Sequence, residues 1–458
     1  MTMISRLLAP FDFVRNAINK GHDRSVKAKK NIALSFLVKG LGIGISLVLV
    51  PLTINYINPS QYGIWLTLSS IVGWFGFFDV GFGHGLRNKF TEAVANKNYD
   101  QARAYVSTTY AALGLIIAVA LVFFLCINPF LHWDSILNTS SKMAGELSLL
   151  ALIVFVFFCL QFVFQLITVV LTANQEPAKA SLFNLFGSIF SLIIIFILTK
   201  TTSGNLLYMG SVLSVTPVLV LAASSVWFYN HEYKRYAPSI KYVKRSYARS
   251  LMGLGGKFFV IQMGVIIMFN TDNIIITQLL GPAQVTVFNI AFKLFSVITM
   301  IYFIIATPLW SAYTDAYTRK DWAWIRNTLS RMRKLWYLLI ILTIILLLSS
   351  PLIFKLWIGD KVKVPFMLSV VMSLYVIGYM HQSTYAFFLN GISKIKLQFY
   401  VIIVNGIVNI PLSILFGKYF GLIGIALLST LLFILTGTLY VIQTNKILNN
   451  TATKIWNE

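Results

Sequence analysis

The chain has 458 residues, of which 57% are hydrophobic and 11% charged, and its formal net charge is +23 at pH 7. Apolar sequence spread along nearly the whole length exceeds what soluble cores need and excludes an ordinary set of soluble domains. The basic residues gather in the gaps between apolar stretches, so an anionic leaflet is their expected neighbour and a nucleic-acid partner is not expected.

Residues 1–30 read as a basic amphipathic cytoplasmic segment. Ile4, Leu7, Leu8, Phe11, Val14 and Ile18 recur at helical spacing, and the run Arg24, Lys27, Lys29 and Lys30 follows. This is either an interfacial helix or a charged tail that only fixes topology. No signal peptide is apparent, so the apolar segment from Asn31 is expected to remain as the first transmembrane helix. Twelve spans follow, at 31–56, 62–83, 104–127, 147–172, 180–199, 206–229, 250–278, 284–311, 335–357, 364–388, 395–417 and 419–443. The fourth contains LALIVFVFFCLQFVFQLITVVL, which carries no charge and as a helix crosses about 30 Å of hydrocarbon. Gly73, Gly76, Pro217, Pro308 and Pro411 interrupt spans in ways that bundle packing tolerates.

Orientation follows from the cations. With a cytoplasmic amino terminus, and with Lys257, Lys355 and Lys396 toward span ends counted to the adjoining side, 29 of the 37 basic residues fall on the inside and 6 outside, while Lys39 and Lys293 lie within spans. This bias places both termini in the cytoplasm. Pro59, Ser60 and Gln61 recur as Pro282, Ala283 and Gln284, an offset of 223, and Asn174 with Lys179 recurs as Asn390 with Lys394. The expected architecture is an all-α polytopic membrane protein, with about twelve transmembrane helices in two pseudo-symmetric six-helix bundles around a central cleft. Residues 31–230 and 251–445 form the bundles, 231–250 a basic cytoplasmic connector and 446–458 a cytoplasmic tail.

Polar groups inside spans mark the candidate site. In QMGVIIMFNTDNIIITQ, Asn270, Asp272 and Asn273 sit in span seven, and Asp272 is too costly for a lipid-facing position. It reads either as a structural ion pair with Lys293 or as a cleft residue affecting passage or coupling. In IVGWFGFFDVGFGHGLRNKF, Asp79 and His84 could exchange protons if buried, or simply cap and hydrogen-bond locally. Arg87 lies near the cytoplasmic mouth, where its directional fork suits a phosphate. Lys39 either acts on a substrate electrostatically or snorkels to the basic edge. Lys39, Arg87, Lys257 and Lys293 share a sign that would attract an anionic head group, provided they face one space. Most tryptophans fall at presumed membrane edges as anchors, with sugar stacking by Trp74 or Trp310 as the other reading. Cys126 and Cys159 lack ligand spacing and read as packing residues, and no metal site is expected. No phosphate-cradling glycine loop, zinc motif or compact acid, base and nucleophile set stands out, so a transporter is expected rather than an enzyme.

Three passages carry a resemblance: DVGFGHGLRNKFTEAVANKNYDQARAYVSTTY from Asp79, FNTDNIIITQLLGPAQVTVFNIAFKLFS from Phe269, and PLWSAYTDAYTRKDWAWI from Pro308. The chain resembles bacterial polysaccharide-unit flippases of the O-antigen type, in the superfamily that also holds multidrug and toxin extrusion transporters and lipid II flippases. The resemblance implies alternating-access movement of an undecaprenyl-pyrophosphate-linked oligosaccharide from the cytoplasmic to the periplasmic leaflet of a bacterial inner membrane. It makes the cationic candidates more credible without fixing a binding site. Polysaccharide-assembly proteins are possible partners, proton or sodium coupling is left open, and no cofactor is assigned. The alternatives are an ion-coupled exporter of small organic molecules and a noncatalytic membrane scaffold.

Overall fold

The computed structural model describes residues 23–76, 81–174, 176–252, 263 and 270–457, with backbone alone for 23–33, 35, 84, 252 and 311. The described residues are almost wholly helical. The first half comprises α1 (Asp23–Tyr56), α2 (Pro59–Trp74), α3 (Phe82–Ala95), α4 (Tyr99–Ile127), α5 (Ala144–Phe164), α6 (Leu166–Ala173), α7 (Pro177–Thr201) and α8 (Leu206–Asn230). After the connector helix α9 (Arg245–Met252) come α10 (residues 270–280), α11 (Pro282–Ala306), α12 (Leu309–Thr318), α13 (Trp322–Trp357) and α14 (Phe366–Gly391). Two legs, α15 (residues 396–420) and α16 (residues 422–448), close the chain.

The expected first 30 residues fall mostly outside the described part, but α1 begins at Asp23, so the basic run before Asn31 continues the first span. Eight helices among the described residues are long and apolar enough to cross a membrane, and the last of them, Lys396–Leu448, contains both legs of a hairpin. Gly421 turns that hairpin at φ 60°, a backbone region that favours glycine. The legs run antiparallel, and Asn405 of one donates to the Thr436 hydroxyl of the other at 2.9 Å. Spans eleven and twelve are therefore separate crossings. Span two is shorter than expected: α2 stops at Trp74, and α3 starts after Gly81, whose φ is 80°. Span eight likewise ends at Ala306, next to Pro308, which has no N–H to continue the helix.

The duplication is visible in geometry. Lys97 and Lys320, an offset of 223 apart, both adopt positive φ (56° and 57°), and the next residues, Asn98 and Asp321, cap α4 and α13. Their side chains accept from Gln101 N at 3.1 Å and Trp324 N at 2.9 Å, satisfying helix-end donors. The repeated Pro-x-Gln triplets start α2 and α11, where proline suits the first helical turn. These equivalent helices meet each other. Thr286 donates to the Pro59 carbonyl at 2.6 Å, and a Cβ added to Gly63 would stand 1.7 Å from the Pro282 carbonyl oxygen. Because 59 matches 282 and 63 matches 286 under the same offset, each contact is the two-fold image of the other, the hallmark of an isologous interface. Buried apolar residues from both sides of this seam, including Leu68, Val72, Ile276 and Phe288, belong to one continuous core.

Candidate functional site

Hydrogen bonds join the halves from the end of the bundle where α2 and α11 begin and continue along α2. Asn138 donates to the Thr277 carbonyl at 2.9 Å, Gln278 to the Ile136 carbonyl at 2.6 Å, and the Trp357 indole to the Leu47 carbonyl at 2.8 Å. Deeper along α2, the Thr67 and Thr277 hydroxyls pair at 2.5 Å, and Asn273 donates to Ser70 at 2.8 Å while accepting from Asn289 at 2.8 Å. One turn on, a Cβ at Gly73 would stand 3.1 Å from the Asn270 side chain. Gly73 is fourteen residues past Pro59, which places it about 21 Å from the sealed end at 1.5 Å per residue. Buried hydroxyls and amides that satisfy one another close this end without burying an unpaired charge.

Lys293 and Trp74 stand where that polar ladder stops. Lys293 follows Thr286 and Asn289 by seven and four residues, so it shares their face of α11, the face turned to α2. Its side chain is half-buried. Trp74 ends α2, half-buried, and its indole nitrogen is buried without a hydrogen-bond partner among the described residues. Lys39 is exposed, yet lies seven, eleven and fourteen residues before Ser46, Val50 and Thr53, on the helix face that is progressively buried toward the sealed end. The lipid-side residues Leu34, Leu37, Leu41 and Val48 occupy the opposite face. Lys39 therefore lies on the α1 face opposite these lipid-side residues, about 25 Å from Tyr56 along the axis.

The other candidates are not gathered there. Asp272, 5% exposed, turns into the second half, where its Oδ2 accepts from the Ser429 hydroxyl at 3.1 Å and its Oδ1 has no partner among the described residues. Among the described residues no ion pair joins Asp272 to Lys293, because Lys293 shares the seam face of α11 and Asp272 bonds to Ser429 of α16. Arg87 is exposed on the side of α3 away from buried Phe82, Leu86 and Phe90, in a hollow of ≈ 460 Å³ with Thr91, Glu92 and Thr172. Trp310 is half-buried on α12 with its ring edge-to-face on Phe387, 6.0 Å between centroids, far along the chain's second half from Trp74. Asp79 and Lys257 lie outside the described residues, as does the side chain of His84. Among the described residues no group of three or more His, Cys, Asp or Glu could hold a metal ion. Cys159 is buried and Cys126 exposed, both unpaired.

Sequence reasoning passed over the seam partners Thr67, Ser70, Thr277 and Asn289. Their signal was present as polar residues within apolar spans, but a lone Ser or Thr in a membrane helix usually satisfies itself on its own backbone, as Ser70 also does to Leu66 at 2.9 Å. Pairing across helices becomes visible only once the helices are placed.

Residues 28–313, more than half of the chain, match the polysaccharide biosynthesis protein family. The chain belongs to that family. Residues 258–415 also match the MatE family. A protein of Salmonella typhi named as an O-antigen transporter is 24% identical over 63% of this chain and 66% of its own length. A protein of Salmonella typhimurium with the same name is 23% identical over 90% of this chain and 96% of its own. Among solved structures, an inward-facing multidrug-resistance MATE transporter of the MOP superfamily superposes with a TM-score of 0.69 at 13% identity, covering 92% of this chain and 98% of that one. The lipid II flippase MurJ in an inward closed conformation gives 0.67 at 16% identity, with 90% and 87% covered. The family member described here thus has the twelve-helix transporter fold with two bundles about a central cleft. It is a multi-pass bacterial inner-membrane transporter of polysaccharide biosynthesis, not an enzyme.

Proposed function

We propose that this chain flips an undecaprenyl-pyrophosphate-linked oligosaccharide repeat unit from the cytoplasmic to the periplasmic leaflet by alternating access. Residues 31–230 and 251–445 are the two bodies that rock about the α2–α11 seam. The connector 231–250, the basic segment 1–30 and the tail 446–458 lie in the cytoplasm, as the bias of cations favours. The sealed end is then periplasmic.

Supporting the reading are Lys293, half-buried on the α11 face that carries Thr286 and Asn289 where the neutral polar pairs stop, and Lys39, on the α1 face opposite its lipid-side residues. A pyrophosphate entering from the open end meets Lys39 and then Lys293, and each cation lowers the cost of bringing the anion out of water. The polyprenyl tail stays in the bilayer, so only the hydrated head needs the cleft. Trp74, with an unpartnered indole nitrogen, offers a stacking face and a donor to a sugar. Arg87 in its separate hollow serves capture at the mouth. Asp272 is the coupling candidate, since its free Oδ1 can take up a proton or contribute to a monovalent cation without disturbing the bond to Ser429.

Reconstituted protein should expose a fluorescent lipid-linked oligosaccharide on the opposite leaflet, with net accumulation when a gradient of the coupling ion is imposed. Export of small organic molecules with no movement of any polyprenyl-linked sugar would replace the reading with a drug exporter. Partner binding with no movement of either would leave a scaffold.

A further inference from the structure

A second basic hollow lies away from the seam, in the C-terminal half. It measures ≈ 280 Å³ between α13, α14 and α16, and Arg326, Arg333, Tyr385, Thr444 and Asn445 are among its walls. The two arginines are seven residues apart, on one face of α13 and about 10 Å apart along its axis. Arg326 donates to the Leu448 carbonyl at the end of α16, which fixes its guanidinium at the rim. No carboxylate pairs with either arginine among the described residues, and none lines the hollow. The hollow around Arg87 differs in this respect, because Glu92 stands in its wall and already neutralises Lys89 at 2.9 Å. Thr444 is 1% exposed, and its Oγ1 has no hydrogen-bond partner among the described residues. Two uncompensated guanidinium forks beside an orphaned hydroxyl suit an anion with several oxygens.

The position along α13 says what kind of anion. Arg333 and Lys334 are its last charges before the uncharged run from Leu335 to Phe354, and Trp336 and Tyr337 follow at once. That order places the hollow at head-group level. From Arg333, residues Tyr337, Ile341, Ile344 and Leu348 succeed at four, eight, eleven and fifteen positions, a single stripe on the helix. All four are exposed, by 59%, 58%, 47% and 70%, so the stripe faces hydrocarbon. A soluble anion would use the hollow alone, whereas an amphiphile uses hollow and stripe together. The volume holds a phosphate with several waters, each occupying about 30 Å³.

We propose that this hollow is a binding site for the phosphate of an anionic membrane lipid, with the head group on Arg326 and Arg333 and the hydrocarbon along the α13 stripe. The assignment stands independently of what the central cleft carries. Its phosphate has two sources, a glycerophospholipid of the bilayer or the pyrophosphate of a polyprenyl carrier.

The test uses the full-length chain in nanodiscs of phosphatidylcholine, doped with phosphatidylglycerol or with polyprenyl pyrophosphate, with retained lipid counted by native mass spectrometry. Retention of at least one of the two anionic lipids should exceed that of phosphatidylcholine, and Arg333→Gln should weaken it at least tenfold. Arg333 has no hydrogen bond among the described residues, so this variant leaves the helix end held by Arg326 intact. Thr444→Val should weaken retention by a smaller factor, and Lys418→Gln, exposed near the turn between α15 and α16, should leave it unchanged. Competition between the two anionic lipids identifies the source. Unchanged retention in Arg333→Gln, equal retention of phosphatidylcholine, or equally tight binding of inorganic pyrophosphate alone would each overturn the proposal.

Discussion

Replacing Gly63 with alanine should break the seal. The new Cβ would lie 1.7 Å from the Pro282 carbonyl oxygen, a backbone atom that cannot swing aside. Restoring ordinary contact near about 3.5 Å requires α2 and α11 to separate by nearly 2 Å. Bonds of 2.6 Å from Thr286 to Pro59, 2.5 Å between Thr67 and Thr277, and 2.8 Å from Asn273 to Ser70 are then stretched out of range. At about 1 kcal/mol each, the sealed arrangement loses about 3 kcal/mol. That corresponds to roughly a hundredfold shift in the ratio of sealed to open molecules. The assay is pulsed electron–electron resonance between spin labels on Lys142 and Lys361, one exposed outer position in each half, with Cys126 and Cys159 first replaced by serine and alanine. The distance distribution should move to longer values in Gly63→Ala, and flipping should fall with it. Gly40→Ala, where an added Cβ meets nothing within 4 Å, should change neither. An unmoved distribution in a folded Gly63→Ala protein would refute the assignment of this seam as the seal.

Other expectations follow from the same geometry. Lys293→Gln should weaken binding of a polyprenyl pyrophosphate in reconstituted membranes about tenfold, the order of a charge-assisted contact, while leaving thermal unfolding in place. Lys39→Gln should act in the same direction with a smaller effect, since its ammonium is more exposed. Asp272→Asn retains an acceptor for Ser429 and should fold, but ion-driven accumulation should vanish while passive equilibration of the lipid persists. Trp133→Phe removes the 2.8 Å bond from the indole to Asn128, leaving a buried amide oxygen unpaired, and should lower thermal stability by about 1–3 kcal/mol in detergent.

Hydropathy and the spacing of cations made the crossings legible, because a helix in hydrocarbon must satisfy its own backbone and therefore declares its length in sequence. The Pro-x-Gln repeat marked the right helices, α2 and α11, but nothing in the triplet says that the two copies touch. That requires the absence of a side chain at Gly63, which in sequence is one glycine among 28. Asp272 was legible as an inward-facing group, whereas its partner was not. Lys293 is close in sequence and opposite in charge, yet helix rotation separates them, and the bond goes to Ser429, 157 residues away. Charge pairing in sequence reports chemistry but not azimuth. The basic loop preceding span nine likewise looked like a topology signal, and two of its four arginines, Arg326 and Arg333, acquired a shared hollow only when α14 and α16 were packed beside them.

The seam joins equivalent helices but not identical residues, with glycine at 63 and threonine at 286. In an assembly of identical subunits every change at the axis appears twice, so a side chain too large on one side is too large on both. Tandem duplication lifts that restriction. One copy can stay small enough to be approached while the other supplies the hydroxyl that reaches across, and selection can tune closeness and adhesion at a single joint as separate traits.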